Sequence, residues 1–423
     1  MQAIFGKLTL VVKDAQLRSR LFFVLGSLVV FRILAAIPIP GVDVDRLAQF
    51  FSNNQFLGLL NIFSGGGLSN LSIVLLGVGP YITASIIMQV FTILSPKLKQ
   101  MYQEEGELGR KKFTQYSRLL TVPLAFIQGA AFTVLLERQG IVTSLTGFDF
   151  VVNLIIIVGG SLLLMWLGEL ITEFGIGNGV SLIIFAGIVA SLPTQVSQLF
   201  FAFEPSQIPL YLGFVVVTLI ITAAVVGITE AERPIPVTYA KRVRGNKVFG
   251  GISTYLPLRM NQAGVIPIIF AISILLFPQM IFNVLSYVQN DLINTISVKF
   301  SALLANQWFY GISYFILVFL FTYFYTAVTF DPESVATNLQ KNGAFIPGVR
   351  PGQSTAIHIS KILLRITLVG ALFLGFIAVF PLIMQGATGI QTLAIGGTSL
   401  LIVVSVVIDL IRKIDAQVSM REY

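Results

Sequence analysis

The stretch Asn61–Leu94, NIFSGGGLSNLSIVLLGVGPYITASIIMQVFTIL, decides how the rest of the chain is read. A short apolar stub, Phe56 to Phe63, runs into Gly65-Gly66-Gly67. Behind the glycines, Leu71 to Leu94 gives 24 residues without a charge, long enough as a helix to cross a hydrocarbon core of about 30 Å. The stub is too short to cross. Two readings stay open. In one, the stub and the run form a broken membrane element that lines a cavity, because irregular backbone at membrane depth survives only where protein or water covers it. In the other, the glycines are an interfacial turn before an ordinary span.

Composition sets the class. Of 423 residues, 55% are hydrophobic and 11% charged, with a mean hydropathy of +0.88. Soluble domains carry about 25% charged residues, so this is an integral membrane protein. The chain has no cysteine, which excludes disulfides, thiolate metal sites and cysteine nucleophiles. The single histidine, His358, reads as a loop residue and argues against a histidine-rich metal or catalytic site. The N-terminal Lys7, Lys13, Arg18 and Arg20 precede a run of full spanning length, not a cleavable signal.

The hydropathy pattern gives ten spans: Leu21–Ile37, Leu71–Leu94, Leu119–Leu136, Val151–Ile171, Val180–Phe201, Ile208–Thr229, Ala263–Ser286, Phe309–Phe330, Ile362–Met384 and Leu393–Ile411. Of the 27 Lys and Arg residues, 23 fall in the termini and the alternate loops on one side, counting Arg365 in the first turn of the ninth span, while Arg46, Arg138 and Lys299 fall on the other. That bias predicts both termini on the cytoplasmic side, or the stromal side in a plastid. Arg32 lies within the first span and is expected to face the bundle or to snorkel to an interface.

Three cytoplasmic loops are large. Pro96–Arg118 mixes Glu104, Glu105 and Glu107 with Arg110, Lys111 and Lys112. Glu230–Gln262 carries Lys241, Arg242, Arg244 and Lys247 around Gly245-Asn246, a hairpin signal flanked by Val237, Tyr239, Val248 and Phe249. Asp331–Lys361 contains Gly343 to Gly352, GAFIPGVRPG, a rigid shaped turn ending near Arg350. Basic loops of this kind either dock an acidic partner, such as RNA, an acidic protein face or anionic lipid, or only enforce topology. The connection Glu173–Gly179 has three glycines before a span, which allow either close backbone approach or a tight turn.

Taken together, these segments resemble the SecY family, the channel subunits of the bacterial and plastid Sec protein translocase. The resemblance runs from about Arg18 to Arg421. It is carried by Ile37–Asp43 (IPIPGVD), Phe63–Gly66 (FSGG), Gly79–Ile82 (GPYI), Gly175–Val189 (GIGNGVSLIIFAGIV), Leu256–Ala271 (LPLRMNQAGVIPIIFA), Gly343–Gly352 and Gly396–Val403 (GGTSLLIV). It implies an all-α polytopic fold of ten transmembrane helices in two inverted, pseudo-symmetric five-helix halves, Met1–Phe203 and Glu204–Tyr423. It implies a pore ring of Val78, Ile82, Val180, Ile184, Ile269 and Ile402. Two of these are valine where the family often has isoleucine, so the ring is slightly wider.

The residues agree with that ring, because Val78/Ile82 and Val180/Ile184 are i, i+4 pairs. The resemblance further makes the stub, about residues 56–68, a plug, with Phe56, Leu60, Ile62 and Phe63 as its body and Gly65, Gly66 and Gly67 as its hinge. It sets Gln89 and Asn261 at a lateral gate. It makes Lys241, Arg242, Arg244, Lys247 and Arg350 docking contacts for a SecA motor ATPase or a ribosome. Further partners implied are SecE- and SecG-like small subunits, secretory preproteins and their signal sequences, and anionic lipid. DNA binding and cofactors are not implied.

Two other classes weigh against this one. A secondary solute transporter shares broken helices and inverted repeats but usually holds ionisable groups at mid-membrane. Here Glu169, Glu173 and Glu230 sit at span ends. An intramembrane enzyme would need a Ser/His or Asp pair within spans, and neither that nor a phosphate-cradling loop occurs.

Overall fold

Each of the ten expected spans overlaps a helix in the computed structural model, which describes residues 14–40, 67–68, 71–138, 146–201, 208–239, 242–244, 247–249, 253–285, 291–388 and 391–419. In chain order the helices are α1 (Ala15–Ala36), α2 (Gly79–Leu94), α3 (Pro96–Gln103), α4 (Gly106–Arg138), α5 (Gly147–Phe174), α6 (Gly179–Phe201) and α7 (Ile208–Glu230). After β1 (Glu232–Tyr239), β2 (Arg242–Arg244), β3 (Lys247–Phe249) and β4 (Ser253–Arg259) come α8 (Ile266–Leu285), α9 (Asp291–Ala305), α10 (Gln307–Thr329), α11 (Pro332–Lys341), β5 (Ala344–Phe345), α12 (Gln353–Thr388) and α13 (Gln391–Ser419). Among the described residues, α1, α4, α5, α10 and α12 are long and apolar enough to cross a membrane, and the bent pair α2–α3 adds a sixth. The chain forms two compact units. One comprises Met1–Phe214, Ile272–Tyr310 and Pro381–Tyr423; the other comprises Val215–Ala271 and Gly311–Phe380.

Three expectations are corrected. The second span is not helical from Leu71. Its helix starts at Gly79, with Pro80 in the first turn, where a missing N–H costs nothing. The loop Pro96–Arg118 is a helical hairpin. Ser95 is extended, as a residue before proline tends to be, and the axis turns by 113° into α3. Helix α4 then runs for 33 residues, well beyond the expected span. Gly106 takes φ +66°, and a Cβ on Gly109 would lie 2.2 Å from the Met101 carbonyl oxygen, so only glycine allows this tight return. Tyr102 packs on Phe113 at 4.8 Å between ring centroids. Burial pushes its phenol above the usual range, with Arg110 pulling the other way. Third, His358 lies in α12, not in a loop, because that helix begins nine residues before its apolar run. Arg32 is exposed on α1, one turn from its end, which fits snorkelling and not a bundle-facing role.

In the first unit, α5 and α6 form a close antiparallel pair. A Cβ on Gly179 would sit 1.9 Å from the Gly168 carbonyl oxygen, so the three-glycine connection serves close backbone approach. Gly177 also turns the chain at φ +100°. Asn178 accepts from the Ser181 N–H at 3.2 Å, and Thr172 Oγ1 accepts from the Gly179 N–H at 2.9 Å. These bonds satisfy donors that a helix start leaves open. Beneath this turn, Leu17 of α1, Ile176 and Val418 of α13 form a small buried cluster with Leu410 and Ile414. Glu169 of α5 is tolerated near its helix end because Arg118 of α4 donates to it at 2.7 Å.

In the second unit, the loops Glu230–Gln262 and Asp331–Lys361 build one sheet, in the order β4-β1-β5. The expected hairpin exists as β2–β3, with Arg244 opposite Lys247, a separate two-stranded sheet that falls in sequence between the strands of a longer antiparallel pair, Glu232–Thr238 on Ser253–Arg259. Pro234 and Pro236 share one parity along β1, while Ile235 and Val237 on the other parity point into the core. That side of β1 is an edge until Thr238 and Tyr239, where β5 joins, so the missing proline donors cost no ladder bond. Ile235, Val237, Leu258, Ala344, Ile346, Ile359 and Ile366 form the core beneath the sheet, joined by Phe330 and residues of α11 and α12.

The α5–α6 contact gives a direct test. Gly179→Ala is expected to lower stability by about 1–3 kcal/mol through overpacking, whereas Gly213→Ala, with nothing within 4 Å of the added Cβ, is expected to be neutral. Thermal unfolding of both purified variants in detergent checks this; equal midpoints would refute the close approach.

Candidate functional site

Gly65 and Gly66 lie outside the described residues, and among those described the backbone ahead of α2 is irregular over Leu71–Val78. Seven of these eight residues are turns and Ser72 is a bridge residue, and Leu71, Ser72, Val74, Leu75, Leu76 and Val78 are almost wholly buried. Buried backbone without partners is costly, so each bond here matters. The Ile39 N–H donates to the Leu71 carbonyl at 2.8 Å and the Ile73 N–H to the Ile37 carbonyl at 2.9 Å. Pro38 stands opposite Ser72 between them. The alternation Ile-Pro-Ile-Pro thus puts isoleucine wherever the strand pair needs a donor or acceptor, and proline where it needs none.

The Ser72, Leu75, Gly77 and Gly79 amides close local turns on Gly67, Ser72, Val74 and Leu76. Gly77 takes φ +57° and Leu71 φ 40°, the latter a conformation costing a non-glycine residue about 1–2 kcal/mol. From α5, the Ser161 hydroxyl donates to the Gly77 carbonyl at 2.9 Å, and a Cβ on Gly160 would lie 2.0 Å from the Ile73 carbonyl oxygen. Sequence reasoning missed Gly160 and Ser161. The signal was present as Gly159-Gly160-Ser161 in mid-span, the small residues that let membrane-buried backbones approach.

The proposed ring residues grow out of this break. Val78 is the cap of α2, fully buried, and its carbonyl accepts from the Ile82 N–H at 3.0 Å. The two therefore lie one turn apart, as their spacing predicts. Val180 is half-buried at the start of α6 and reaches toward Gly168 of α5. Ile184, one turn on, is fully buried, and α6 packs on α13, which carries the buried Ile402. These five belong to the first unit; Ile269, also buried, belongs to the second, on α8.

Of the plug and hinge residues, Phe56, Leu60, Ile62, Phe63, Gly65 and Gly66 lie outside the described residues. Gly67 is buried, with its carbonyl bonded to the Ser72 N–H at 2.8 Å.

Gln89 and Asn261 share an unusual state. The Gln89 amide NH2 donates to Ser85 Oγ at 3.2 Å and that of Asn261 to the Gly264 carbonyl at 3.3 Å. The side-chain carbonyl oxygen of each is buried without a partner among the described residues. A buried acceptor left unpaired costs about 1–3 kcal/mol.

Among the residues expected to dock a partner, Arg242 and Arg244 lie on β2 and Lys247 on β3, while Lys241 lies outside the described residues. Arg350 is exposed on a turn framed by Gly348 at φ +83° and Gly352 at φ +95°. Its carbonyl accepts from Thr355 Oγ1 at 2.9 Å. Among the described residues no group of His, Asp and Glu could hold a metal ion.

A family model described as SecY matches residues 72–411. Protein translocase subunit SecY of Pseudomonas aeruginosa is 42% identical over 413 residues, covering 97% of this chain and 92% of its own. The Mycobacterium tuberculosis protein of the same name is 40% identical over 432 residues, covering 97% of each. Among solved structures, "The structure of a protein conducting channel" aligns with a TM-score of 0.65 at 20% identity, covering 96% of this chain and 94% of the other. Sec61 in the canine ribosome-channel complex aligns at 0.62 and 18%, again covering 96% and 94%. The fold follows from these structures and the family from the sequences: this chain belongs to the SecY family of multi-pass integral membrane proteins.

Proposed function

We propose that this chain is the pore-forming subunit of a protein translocase, a passive channel that conducts unfolded secretory polypeptides across the membrane and releases apolar segments sideways into lipid. The observation that carries the reading is the 42% identity, along 97% of the chain, to a relative named protein translocase subunit. Val78, Ile82, Val180, Ile184, Ile269 and Ile402 form its constriction. All six are aliphatic, and five are almost fully buried. A narrow ring of such side chains offers water and ions no hydrogen bond and closes by dewetting. The segment about 56–68 is the plug. The halves Met1–Phe203 and Glu204–Tyr423 are the two inverted repeats, clamped by a SecE-like subunit and joined by a SecG-like one.

The membrane is a bacterial plasma membrane or a thylakoid, with both termini and the β1–β5 sheet on the basic, cytoplasmic or stromal side. The residues Lys241, Arg242, Arg244, Lys247 and Arg350 on that side receive a SecA-type motor or a ribosome. The ribosome bound to the canine Sec61 relative supports the second of these. Gln89 and Asn261 line the lateral gate. Each has an unused carbonyl oxygen able to accept a hydrogen bond worth roughly 0.6–2 kcal/mol, enough to bias a closed state and weak enough to break.

The first test is site-specific crosslinking to a stalled precursor carrying a mid-chain probe. Single cysteines at Ile82, Ile184 and Ile402 should all crosslink; the native chain has no cysteine to interfere. Val216, exposed on α7, should not. Crosslinks at Val216 alone would remove the pore assignment. Arg350→Glu is expected to weaken motor or ribosome binding about tenfold at low salt; unchanged affinity would exclude this docking site. Gln89→Leu, which removes a buried unpaired carbonyl, is expected to raise unfolding stability by about 1 kcal/mol. A loss of stability would show that the carbonyl is partnered in the folded protein.

A further inference from the structure

Helix α9 was not among the expected spans. It is 15 residues, DLINTISVKFSALLA, too short to cross a bilayer. Connectivity fixes its end of the molecule. Strand β4 leads into the start of α8, and the end of α10 leads out to α11 and β5, so α9 joins the other ends of these two helices.

Its surface divides into three arcs at 100° per residue. Ser297 and Leu304 are buried, with Ile293 and Phe300 half-buried beside them, and Phe300 stacks on Phe282 of α8 at 4.2 Å between ring centroids. This arc packs on the protein. The adjoining arc carries Leu292, Ile296 and Leu303, exposed by 77%, 59% and 51%, with the exposed Lys299 between them. The remaining arc carries Asp291, Asn294, Thr295 and Ser301, with the exposed Val298 among them.

We propose that α9 lies in the plane of the non-cytoplasmic membrane surface, with Leu292, Ile296 and Leu303 at the boundary of headgroups and acyl chains and Lys299 reaching a lipid phosphate. A helix with separate apolar and polar faces and a cation on the border is built for that interface. Continuity with a lipid-facing surface selects lipid over a protein partner. Only Asn306 separates α9 from α10, whose N–H groups at Trp308 and Phe309 it caps at 3.0 and 3.3 Å. Trp308, Ile312, Ile316 and Leu320 then form an exposed stripe at four-residue spacing down α10. Trp308, 79% exposed at the head of that stripe, sits where aromatic side chains mark the membrane–water boundary. Lys299 within the apolar arc fits a phosphate layer, since its stem can lie along apolar surface while its ammonium reaches outward. A dry protein interface would have to bury that charge. The inference rests on the membrane reading of the chain and not on polypeptide conduction.

The test uses the full chain in nanodiscs of phosphatidylethanolamine and phosphatidylglycerol. Single cysteines at Leu292, Ile296, Leu303, Asn294 and Ser301 carry an environment-sensitive fluorophore. Lipids brominated on the acyl chain should quench the first three at least about threefold more than the last two, and aqueous iodide should show the reverse order. Equal quenching at all five positions overturns the proposal. So does protection of the first three from both quenchers, which would mean that a protein surface covers this arc. A second readout needs no change in α9. The chain has two tryptophans, so Trp166→Phe isolates Trp308, whose emission should be quenched by lipids brominated near the headgroup and not by iodide.

Discussion

A hydrocarbon core offers no water to an open amide or carbonyl, so any backbone that leaves the helical pattern there must find its partners inside the protein. The segment Leu71–Val78 is where this chain meets that demand. Its irregular backbone is closed by the short pairing with Ile37–Ile39, by local turns, and by the Ser161 hydroxyl on Gly77. The notch at Gly160 lets α5 come close enough to supply that hydroxyl. Remove any one of these and a buried polar group is stranded. The first unit is therefore arranged around a backbone defect, with α1, α2 and α5 fixed by what the defect requires.

The second unit answers a different demand. Its polar loops lie outside the apolar run of every span, where the cost of order is conformational entropy and not lost hydrogen bonds. Short loops with little apolar surface rarely hold one shape. Here β1, β4 and β5 bring two loops together over one core of Ile235, Val237, Leu258, Ala344 and Ile346. Arg350 is thereby presented from a turn whose carbonyl is already bonded to Thr355, so if the proposed docking holds, little freedom is left to be lost on binding.

The ten helices were legible because length and apolarity are all that a span requires, and both are written along the sequence. The position of the break was not, because LSIVLLGV has the composition of a helix and hydropathy carries no information about φ and ψ. Gly77 and Gly79-Pro80 were the local marks, since one permits a positive φ and the other starts a helix cleanly. The sheet was only half legible. Gly245-Asn246 marked the β2–β3 hairpin, but the prolines at 234 and 236 masked the alternation of β1. The helical hairpin α3–α4 and the helical setting of His358 were hidden because charged segments satisfy helix and loop alike. The six ring residues could be named only through the family's motifs; singly, each has the composition of lipid-facing or core positions.

Val78 belongs both to the defect and to the proposed ring, and this sharing has a mechanical consequence. Its carbonyl starts α2, and its side chain is fully buried at the end of a hydrogen-bonded turn series. Backbone held in that way cannot yield without breaking several bonds whose only alternative partners are lipid. An aliphatic side chain, by contrast, changes rotamer without losing a partner, because it has no polar group to satisfy. A constriction assembled from such residues on fixed backbone can adapt to side chains of different size as they pass. Larger openings have to come from movement of whole helices, and the Gln89 and Asn261 carbonyl oxygens, without a partner among the described residues, are acceptors that such a movement could pair.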